Sequence, residues 1–374
     1  MLLTSPLSSP LKNPVRDVFS PAGSSQSLTA QAQALFAGGK VGGMWDMGDT
    51  STLWRNPLFG GVNPVTTAGQ TIGVVADVSR QSGFTDVSGH TWTVASGDGV
   101  LSVVGNQVTI TGATTATRVD RTGGNIAAET RGLCKMVITA NWASATGPLV
   151  WCCGNPTAPV NGVALTVGNQ IESSSLHGFQ ITSGTATFTV DEFKMWPGST
   201  ATQSTAIKRP LYQVVSSYGC AQFDAVNDAL LFPAITFGGA FNTFVASKVT
   251  GGTLGLHLWR TADSGGGFWG AYESGSGTIM HGAAVGTPSY SVNGVAVSPA
   301  TRGQLYSQVN GVDSVLESTG IVLSAETALQ FSGYPSGQFQ GNANRVLMIS
   351  GTLTAGEKLL CRQWAAEGNG ATVV

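Results

Sequence analysis

Polar and apolar side chains alternate most clearly between residues 218 and 232. Residues 220–225 read Cys-Ala-Gln-Phe-Asp-Ala, so the even positions form a polar face and the odd positions an apolar face. A period of two is typical of a strand with one buried face. A polar turn at 224–228 follows, and then an apolar run at 229–232 that Pro233 closes. The pattern predicts two strands joined by a turn, with Cys220 on the solvent face of the first.

Pairs of Gly and Asn between further alternating segments predict tight turns. Asn293-Gly294 and Asn310-Gly311 each separate two strand-like segments. An Asn-Gly pair accepts the positive φ that a two-residue hairpin requires at both central positions. The pairs at 105–106 and 168–169 predict two more hairpins, in a region that ends with the strand pattern of residues 187–196. Many short strands with such turns predict an all-β fold of two antiparallel β-sandwich or jelly-roll domains.

Helical periodicity is confined to two short stretches, one near each end of the chain. Residues 25–36 place apolar side chains on one face, with Ser25 or Ser27 as the N-cap and two glycines after the last turn. Near the other end, Thr354 and Glu357 have the spacing of a capping box and are followed by an apolar stripe. The sequence therefore predicts a short N-terminal helix and a C-terminal helix.

Composition and charge restrict the partners. The 374 residues include 51 glycines and only 10% charged residues, and the net charge is −2. This charge does not attract nucleic acid or an anionic membrane, and no apolar run approaches the ~20 residues of a membrane-spanning helix. Few charges also indicate a surface covered by neighbouring subunits. The proline-rich residues 1–24 predict an extended arm, either wrapped on a neighbour or disordered. We expect a homo-oligomer, with a trimer as one arrangement.

The cellular compartment follows from the N-terminus and the cysteines. Residues 1–19 lack the basic start and unbroken apolar core of a signal peptide. Five cysteines, two of them adjacent, do not form a disulfide framework. We therefore expect synthesis in a cytoplasm without export by the general secretory route.

Patterns that would indicate catalysis are lacking. There is no Gly-x-Ser-x-Gly elbow, and residues 48–50 have threonine where a GDS-type esterase has serine. Residues 265–270 fit Gly-x-Gly-x-x-Gly, but no βαβ pattern surrounds them. Adjacent Asp191 and Glu192 point to opposite faces of a strand, whereas a glycosidase needs two facing carboxylates. We predict no enzymatic activity, no metal centre and no cofactor, with polysaccharide depolymerisation as the least favoured alternative.

Aromatic and polar side chains gather around one Gly-rich loop and suggest a surface for sugars. A sugar ring stacks on Trp or Tyr while Asp, Asn or Arg fixes its hydroxyls. The candidate carbohydrate-binding residues are His257, Trp259, Arg260, Asp263, Trp269 and Tyr272. The alternative is that these tryptophans fill the core of the sandwich, as large aromatic residues usually do.

Two stretches carry a resemblance to a known family. Residues 44–79 contain Trp45-Asp46, Asp49-Thr50-Ser51-Thr52-Leu53, Pro64-Val65-Thr66, Gly69-Gln70-Thr71-Ile72-Gly73 and Asp77-Val78-Ser79. Residues 198–210 and 223–230 then read GSTATQST, followed by Arg209-Pro210, and FDAVNDAL. This order resembles virion proteins of tailed bacteriophages in which a laminin-G-like, concanavalin A-like sandwich follows. In those proteins the stretches at 198–205 and 223–230 are closer to GNHATQAT and FDGVDDAL, so the match departs at five positions.

The resemblance implies a domain organisation and a function. It implies an N-terminal arm, helix and virion-attachment segment at 1–79, an inserted jelly roll similar to carbohydrate-binding modules at 80–197, and a laminin-G-like sandwich at 198–374. Laminin-G-like sandwiches sometimes hold calcium, and the candidate ligands here are Asp224, Asp228 and Asp263, although Asp is also common in turns for backbone reasons.

The function that the resemblance implies is structural and adhesive. The chain would belong to a tail fibre, a tail tip or a capsid appendage, attached through its N-terminal region to other virion proteins. It would be assembled in the bacterial host cytoplasm, and its β-domains would contact host-surface glycan. The alternative is a capsid decoration or scaffold protein that binds no glycan.

Overall fold

Short antiparallel strands dominate the computed structural model, and the all-β class is confirmed. The residues that the structure describes are 26–55, 64–79, 85–86, 91–121, 133–138, 145–146, 150–153, 163–164, 171–172, 176–195, 200–203, 205–251, 254–260, 268–272, 284–285, 288–298, 301–323, 327–332 and 339–374. The predicted arm at 1–24 lies outside these ranges.

Three α-helices are present in the described ranges: α1 (Leu28–Ala37), α2 (Arg302–Val309) and α3 (Ala355–Glu367). Single 3-10 turns lie at Thr50–Thr52 and Ala206–Lys208. None of the described helices combines the length and hydropathy needed to cross a membrane.

Both predicted helices begin where their caps indicated. The Ser27 hydroxyl accepts a hydrogen bond from the Ala30 amide at 3.2 Å, which fixes the start of α1. At α3, Thr354 Oγ1 accepts from the Glu357 amide while the Glu357 carboxylate accepts from the Thr354 amide. These reciprocal bonds confirm the capping box.

Twenty-eight strands are described, and their bounds follow in three groups. The N-terminal group is β1 (Gly42–Asp46), β2 (Leu53–Trp54) and β3 (Val74–Ala76). The middle group is β4 (Thr85–Asp86), β5 (Trp92–Ser96), β6 (Val100–Val104), β7 (Gln107–Ala113), β8 (Thr117–Arg121), β9 (Leu133–Ile138), β10 (Ala145–Thr146), β11 (Val150–Cys153), β12 (Val163–Ala164), β13 (Ile171–Glu172), β14 (Leu176–Ile181) and β15 (Ser183–Met195). The C-terminal group is β16 (Thr200–Thr202), β17 (Leu211–Val215), β18 (Tyr218–Asp224), β19 (Ala229–Ile235), β20 (Phe241–Val249), β21 (Leu254–Arg260), β22 (Phe268–Tyr272), β23 (Ala284–Val285), β24 (Ser289–Val292), β25 (Val295–Val297), β26 (Ser314–Leu323), β27 (Thr327–Ser332) and β28 (Gln340–Ser350).

The N-terminal and C-terminal groups share two sheets. A nine-stranded sheet has the order β17-β18-β28-β20-β26-β24-β25, with β1 also paired to β28 and β23 to β26. A seven-stranded sheet has the order β2-β3-β16-β19-β27-β21-β22. The middle group forms two further sheets, β13-β9-β15-β7-β6 with β4 and β10 on β15, and β12-β11-β14-β8-β5. The sandwich thus draws strands from both sides of residues 80–197.

A hydrophobic core lies between the nine-stranded sheet and the seven-stranded sheet that contains β19 and β27, and it includes side chains from both. Trp45 of β1 lies 4.6 Å from Phe232 between ring centroids, and Phe223 of β18 lies 4.9 Å from Phe331 of β27. These contacts join strands of the nine-stranded and seven-stranded sheets. Such tilted aromatic pairs stabilise a core beyond the area that they bury.

A second core covers the other face of the nine-stranded sheet. There, Phe244 of β20 and Leu347 of β28 cluster with Ala32 of α1 and with Cys361 and Trp364 of α3. Strands β20 and β28 are therefore buried on both faces, and this burial includes several of their polar residues. Helices α1 and α3 lie side by side on this face.

The turn predictions have mixed outcomes. The hairpins at Asn293-Gly294 and at 105–106 are confirmed, with φ of 54° at Asn293 and 86° at Gly294. The Asn310-Gly311 hairpin is wrong, because residues 302–309 form α2 and the Asn310 amide donates to Tyr306 O at its C-terminus. A capping box of Thr301 with the residue three positions later starts this helix.

Three further expectations are corrected or lie outside the described ranges. Pro233 does not end β19, which continues to Ile235 with a register shift between Leu231 and Ala234. Cys220 is buried rather than solvent-facing. The turn at 168–169 lies outside the described residues, but its flanking strands β12 and β13 belong to different sheets and so do not form one hairpin.

Candidate functional site

A polar cleft with a volume of about 480 Å³ lies where α1, α3 and the nine-stranded sheet meet. Its walls come from the start of α1, the turn after β1, the turn between β17 and β18, and the end of α3. Strand β28 contributes Arg345 to the floor. The cleft thus brings together segments from both ends of the chain.

Asp46 and Arg345 form the central ion pair of the cleft. They are directly opposite each other in the β1–β28 ladder, which places both side chains on one face of the sheet. Arg345 Nε lies 2.7 Å from Asp46 Oδ2, and the Gly48 amide donates to Asp46 Oδ1 at 2.9 Å. Asp46 is only 8% exposed, so its charge depends on these partners.

Arg345 also holds the C-terminal end of α3. Its Nη1 donates to the Trp364 carbonyl oxygen at 2.5 Å and lies 3.2 Å from Glu367 Oε2. The guanidinium carbon is 4.9 Å from the centroid of the Trp364 ring, within cation–π range. Carbonyls in the last turn of a helix attract a cation, so one arginine joins β1, β28 and α3.

Burial and charge act in opposite directions on Asp46. Desolvation raises the pKa of its carboxyl above the ordinary value, and the nearby Arg345 guanidinium and the Gly48 amide lower it in part. The net direction is upward. The ion pair therefore only partly offsets the penalty for holding a carboxylate in this position.

Two glycines allow the rim turns to approach each other. A Cβ on Gly48 would lie 2.7 Å from Gly219 O, and a Cβ on Gly219 would lie 2.4 Å from Gly48 O. Asn344 Nδ2 donates to Gly219 O at 2.9 Å, which ties the β17–β18 hairpin to β28. Any other residue at either glycine would separate the walls of the cleft.

The hairpin turn at the mouth of the cleft is strained. Ser216 and Ser217 have φ of 52° and 73°, a region that serine rarely adopts. A turn with two such residues usually contains Asn-Gly. Tyr218 follows and is 36% exposed, and it lines the cleft together with Ser217.

The predicted sugar-binding residues lie on another part of the sandwich. His257, Trp259 and Arg260 lie on β21, and Trp269 and Tyr272 lie on β22. The two strands pair at the edge of the seven-stranded sheet, with the partners Leu258 and Trp269. Asp263 and the side chains of both strands lie outside the described part of the structure, so this surface stays a prediction.

The calcium candidates form a hydrogen-bonded turn. The Asp224 amide donates to Asp228 Oδ2 at 2.9 Å, and Asp224 Oδ1 accepts from the amides of Val226 and Asn227. Burial and the neighbouring Asp224 raise the pKa of Asp228 to about 7. In the described ranges no three His, Cys, Asp or Glu side chains group closely enough to hold a metal ion. Asp263 lies outside those ranges.

Buried thiols in the described residues are poor nucleophiles. Burial raises the pKa of Cys220 to about 11 and that of Cys361 to about 12. A thiol attacks as the thiolate, which is scarce at neutral pH for such groups. Neither thiol is among the residues that line the cleft.

Sequence reasoning did not single out the Asp46–Arg345 pair. Asp46 entered only through the family resemblance, and Arg345 was not among the candidate residues. The one available signal was an arginine directly before the apolar run at 346–349, since a charged residue is seldom buried without a partner. The partner itself could not be chosen, because 299 positions separate the two residues.

The described strands define an all-β protein with a polar cleft. No protein-family model, no curated protein and no solved structure matches this chain.

Proposed function

We propose that this chain is a structural protein of a tailed-bacteriophage virion that displays β-domains for attachment to the host surface. It would form part of a tail fibre, a tail tip or a capsid appendage. The observation that carries the proposal is the position of the two stretches with family resemblance. Residues 44–79 and 198–374 contribute strands to the same two sheets, although the middle group of strands separates them.

The way in which the middle group joins the sandwich supports a role in display. Strands β3 and β16 pair antiparallel, with Ala76 opposite Thr200. The chain therefore leaves the sandwich and returns to it at neighbouring positions, as it would for a large insertion in a hairpin. Such an insertion can add a domain to the sandwich without altering the core of the sandwich.

Exposed valines on the middle group support contacts with neighbouring subunits. Strands β5 and β6 lie at the edges of their sheets within the described residues. Val100 and Val104 are 68% and 73% exposed, and β6 carries no charge. An apolar edge strand without charge is a template for pairing with another chain. The same observation favours the second candidate function, a capsid decoration protein that assembles but binds no glycan.

Immunolabelling of intact particles tests the proposal. Antibodies against the purified chain would be applied to particles from the producing bacterium and imaged by electron microscopy. We expect regular labels at one location on each particle, and none with antibody that has been absorbed with the chain. Particles that remain unlabelled, and that lack the chain when their proteins are separated and analysed by mass spectrometry, would refute it.

A further inference from the structure

Three groups at the rim of the polar cleft have unused hydrogen-bonding capacity. Asp49 Oδ1 accepts hydrogen bonds from Ser51, whereas no described residue bonds to Asp49 Oδ2. Within the described residues, the Ser217 and Tyr218 hydroxyls have no hydrogen-bond partner. All three residues line the cleft. The rim therefore offers one carboxylate oxygen and two hydroxyls beside an exposed aromatic ring.

We propose that this cleft binds a neutral saccharide unit, with its ring against Tyr218 and its hydroxyls on Asp49 and Ser217. The inference rests on the proposed attachment function and assigns that function to a location other than strands β21 and β22. A volume of about 480 Å³ lies within the ~300–1,000 Å³ range of small-molecule sites. Carboxylate and hydroxyl groups next to an aromatic face match the alternating polar and apolar surfaces of a sugar.

The charges of the lining disfavour other kinds of ligand. Asp46, Asp49 and Glu367 outnumber Arg345, so the cleft repels anions. Asp46 and Glu367 are already paired with Arg345, which leaves a cationic ligand with Asp49 alone. Polar groups dominate the lining, and a mainly apolar ligand would leave them without partners. A neutral molecule rich in hydroxyls meets each of these conditions.

The strained turn supports the choice of this rim. Ser216 and Ser217 keep positive φ angles where glycine or asparagine would relieve the strain. Strained backbone persists where surrounding structure enforces it, and such positions cluster at ligand sites. Here the bond from Asn344 to Gly219 O and the close approach of Gly48 hold the hairpin in place. The strain positions the Ser217 hydroxyl and the Tyr218 ring on the same cleft.

The test uses the purified full chain and an array of neutral hexose and N-acetylhexosamine oligosaccharides, followed by calorimetric titration of the best binder. We expect Tyr218→Ala and Asp49→Asn each to weaken binding roughly 10-fold or more, the loss expected when one good contact is removed. Gln222→Ala is the matched control, because Gln222 is an exposed residue on the same strand outside the cleft lining. It should bind as the unmodified chain does, and thermal melts would verify that all variants are folded.

Several outcomes would overturn the inference. Unchanged binding by both cleft variants would do so, as would loss of binding by Trp269→Ala alone, which would place the site on β22. An array on which no neutral oligosaccharide is bound would also reject it. Particle labelling is independent of these results. A labelled particle with no saccharide binding would refute the cleft assignment and leave virion membership standing.

Discussion

Replacing Arg345 with methionine should destabilise the sandwich in a pH-dependent manner. Methionine keeps much of the apolar stem but removes the ion pair with Asp46 and the bond to the Trp364 carbonyl. Asp46 would then be a carboxylate with 8% exposure and no cation. Breaking a buried pair on one side costs about 3–5 kcal/mol of unfolding free energy.

Protonation of Asp46 sets an upper limit on the charge part of this loss. An unpaired carboxyl can escape the penalty by taking up a proton, which costs about 1.4 kcal/mol for each pH unit above its unfolded pKa of ~3.9. The limit is therefore about 4 kcal/mol at pH 7 and about 1.5 kcal/mol at pH 5. Loss of the bond to the Trp364 carbonyl adds about 1 kcal/mol at either pH.

The sign of the pH dependence follows from the raised pKa. Burial holds the pKa of Asp46 above its unfolded value, so its contribution is complete below the unfolded pKa and is lost as the pH rises through the folded pKa. Arg345 lowers the pKa of Asp46, so its removal raises that pKa further. The stability that Asp46 contributes is then lost over a range that extends to higher pH, and the total loss is larger. Asp49 and Glu367 also line the cleft, but both are exposed and solvent screens them.

Urea unfolding at pH 5 and pH 7 provides the assay. We expect Arg345→Met to lose about 4–5 kcal/mol at pH 7 and about 2–3 kcal/mol at pH 5. The double variant D46N/R345M has no buried charge at these two positions, so it should recover most of the loss and should not show this pH dependence. A loss below about 1 kcal/mol at both pH values, or an equal loss in the Asp46→Asn background, would show that the pair does not act in this way.

Three further predictions test packing and ionisation. Gly219→Ala should lower the free energy of unfolding by about 2 kcal/mol or more, since the new methyl would lie against Gly48 O. Gly356→Ala in α3 should instead raise the thermal midpoint, because no atom lies within 4 Å of its Cβ position. Equal midpoints for the two variants would contradict the close approach of Gly219 and Gly48. Thr243→Val should leave stability unchanged or raise it by about 1 kcal/mol, because the buried Thr243 hydroxyl has no hydrogen-bond partner in the part of the chain that the structure describes. A clear loss of stability on denaturant unfolding would contradict this expectation. The pKa of Asp228 is raised to about 7, so the unmodified chain should lose stability as the pH rises from about 4 through about 7. Asp228→Asn should abolish this decline, and an unaltered pH profile would count against the raised pKa.

Local signals in the sequence predicted elements correctly where the stabilising contacts are also local. The Ser27 cap and the Thr354 capping box satisfy amides within the same turn of chain, so a few residues determine each helix start. Asn293-Gly294 likewise determines its own hairpin through its φ angles. At Asn310 two local signals competed. The capping box at Thr301 and the burial of apolar residues in α2 outweighed the turn preference of the Asn-Gly pair.

Contacts between distant positions determine what the sequence did not predict. Period-two alternation assigned Cys220 to solvent, but the folded sheet buries residues on both faces where helices and loops cover it. The cleft depends on a pairing register between β1 and β28 that no local pattern specifies. Only the register places Asp46 opposite Arg345, and a shift by one residue would direct the two side chains to opposite faces.

This pairing of strands also explains how the sandwich can carry residues 80–197 as a large insertion. Strands β1 and β3, which precede residues 80–197, pair with β28 and β16, which follow them. The sandwich therefore closes only after the inserted residues have been synthesised, and the Asp46–Arg345 pair forms across that gap. None of the named strand pairs in the described ranges joins the middle group to the sandwich, so the sheets of the two parts are separate. Changes within the middle group can therefore alter its surface without disturbing the strand pairs that hold the sandwich together.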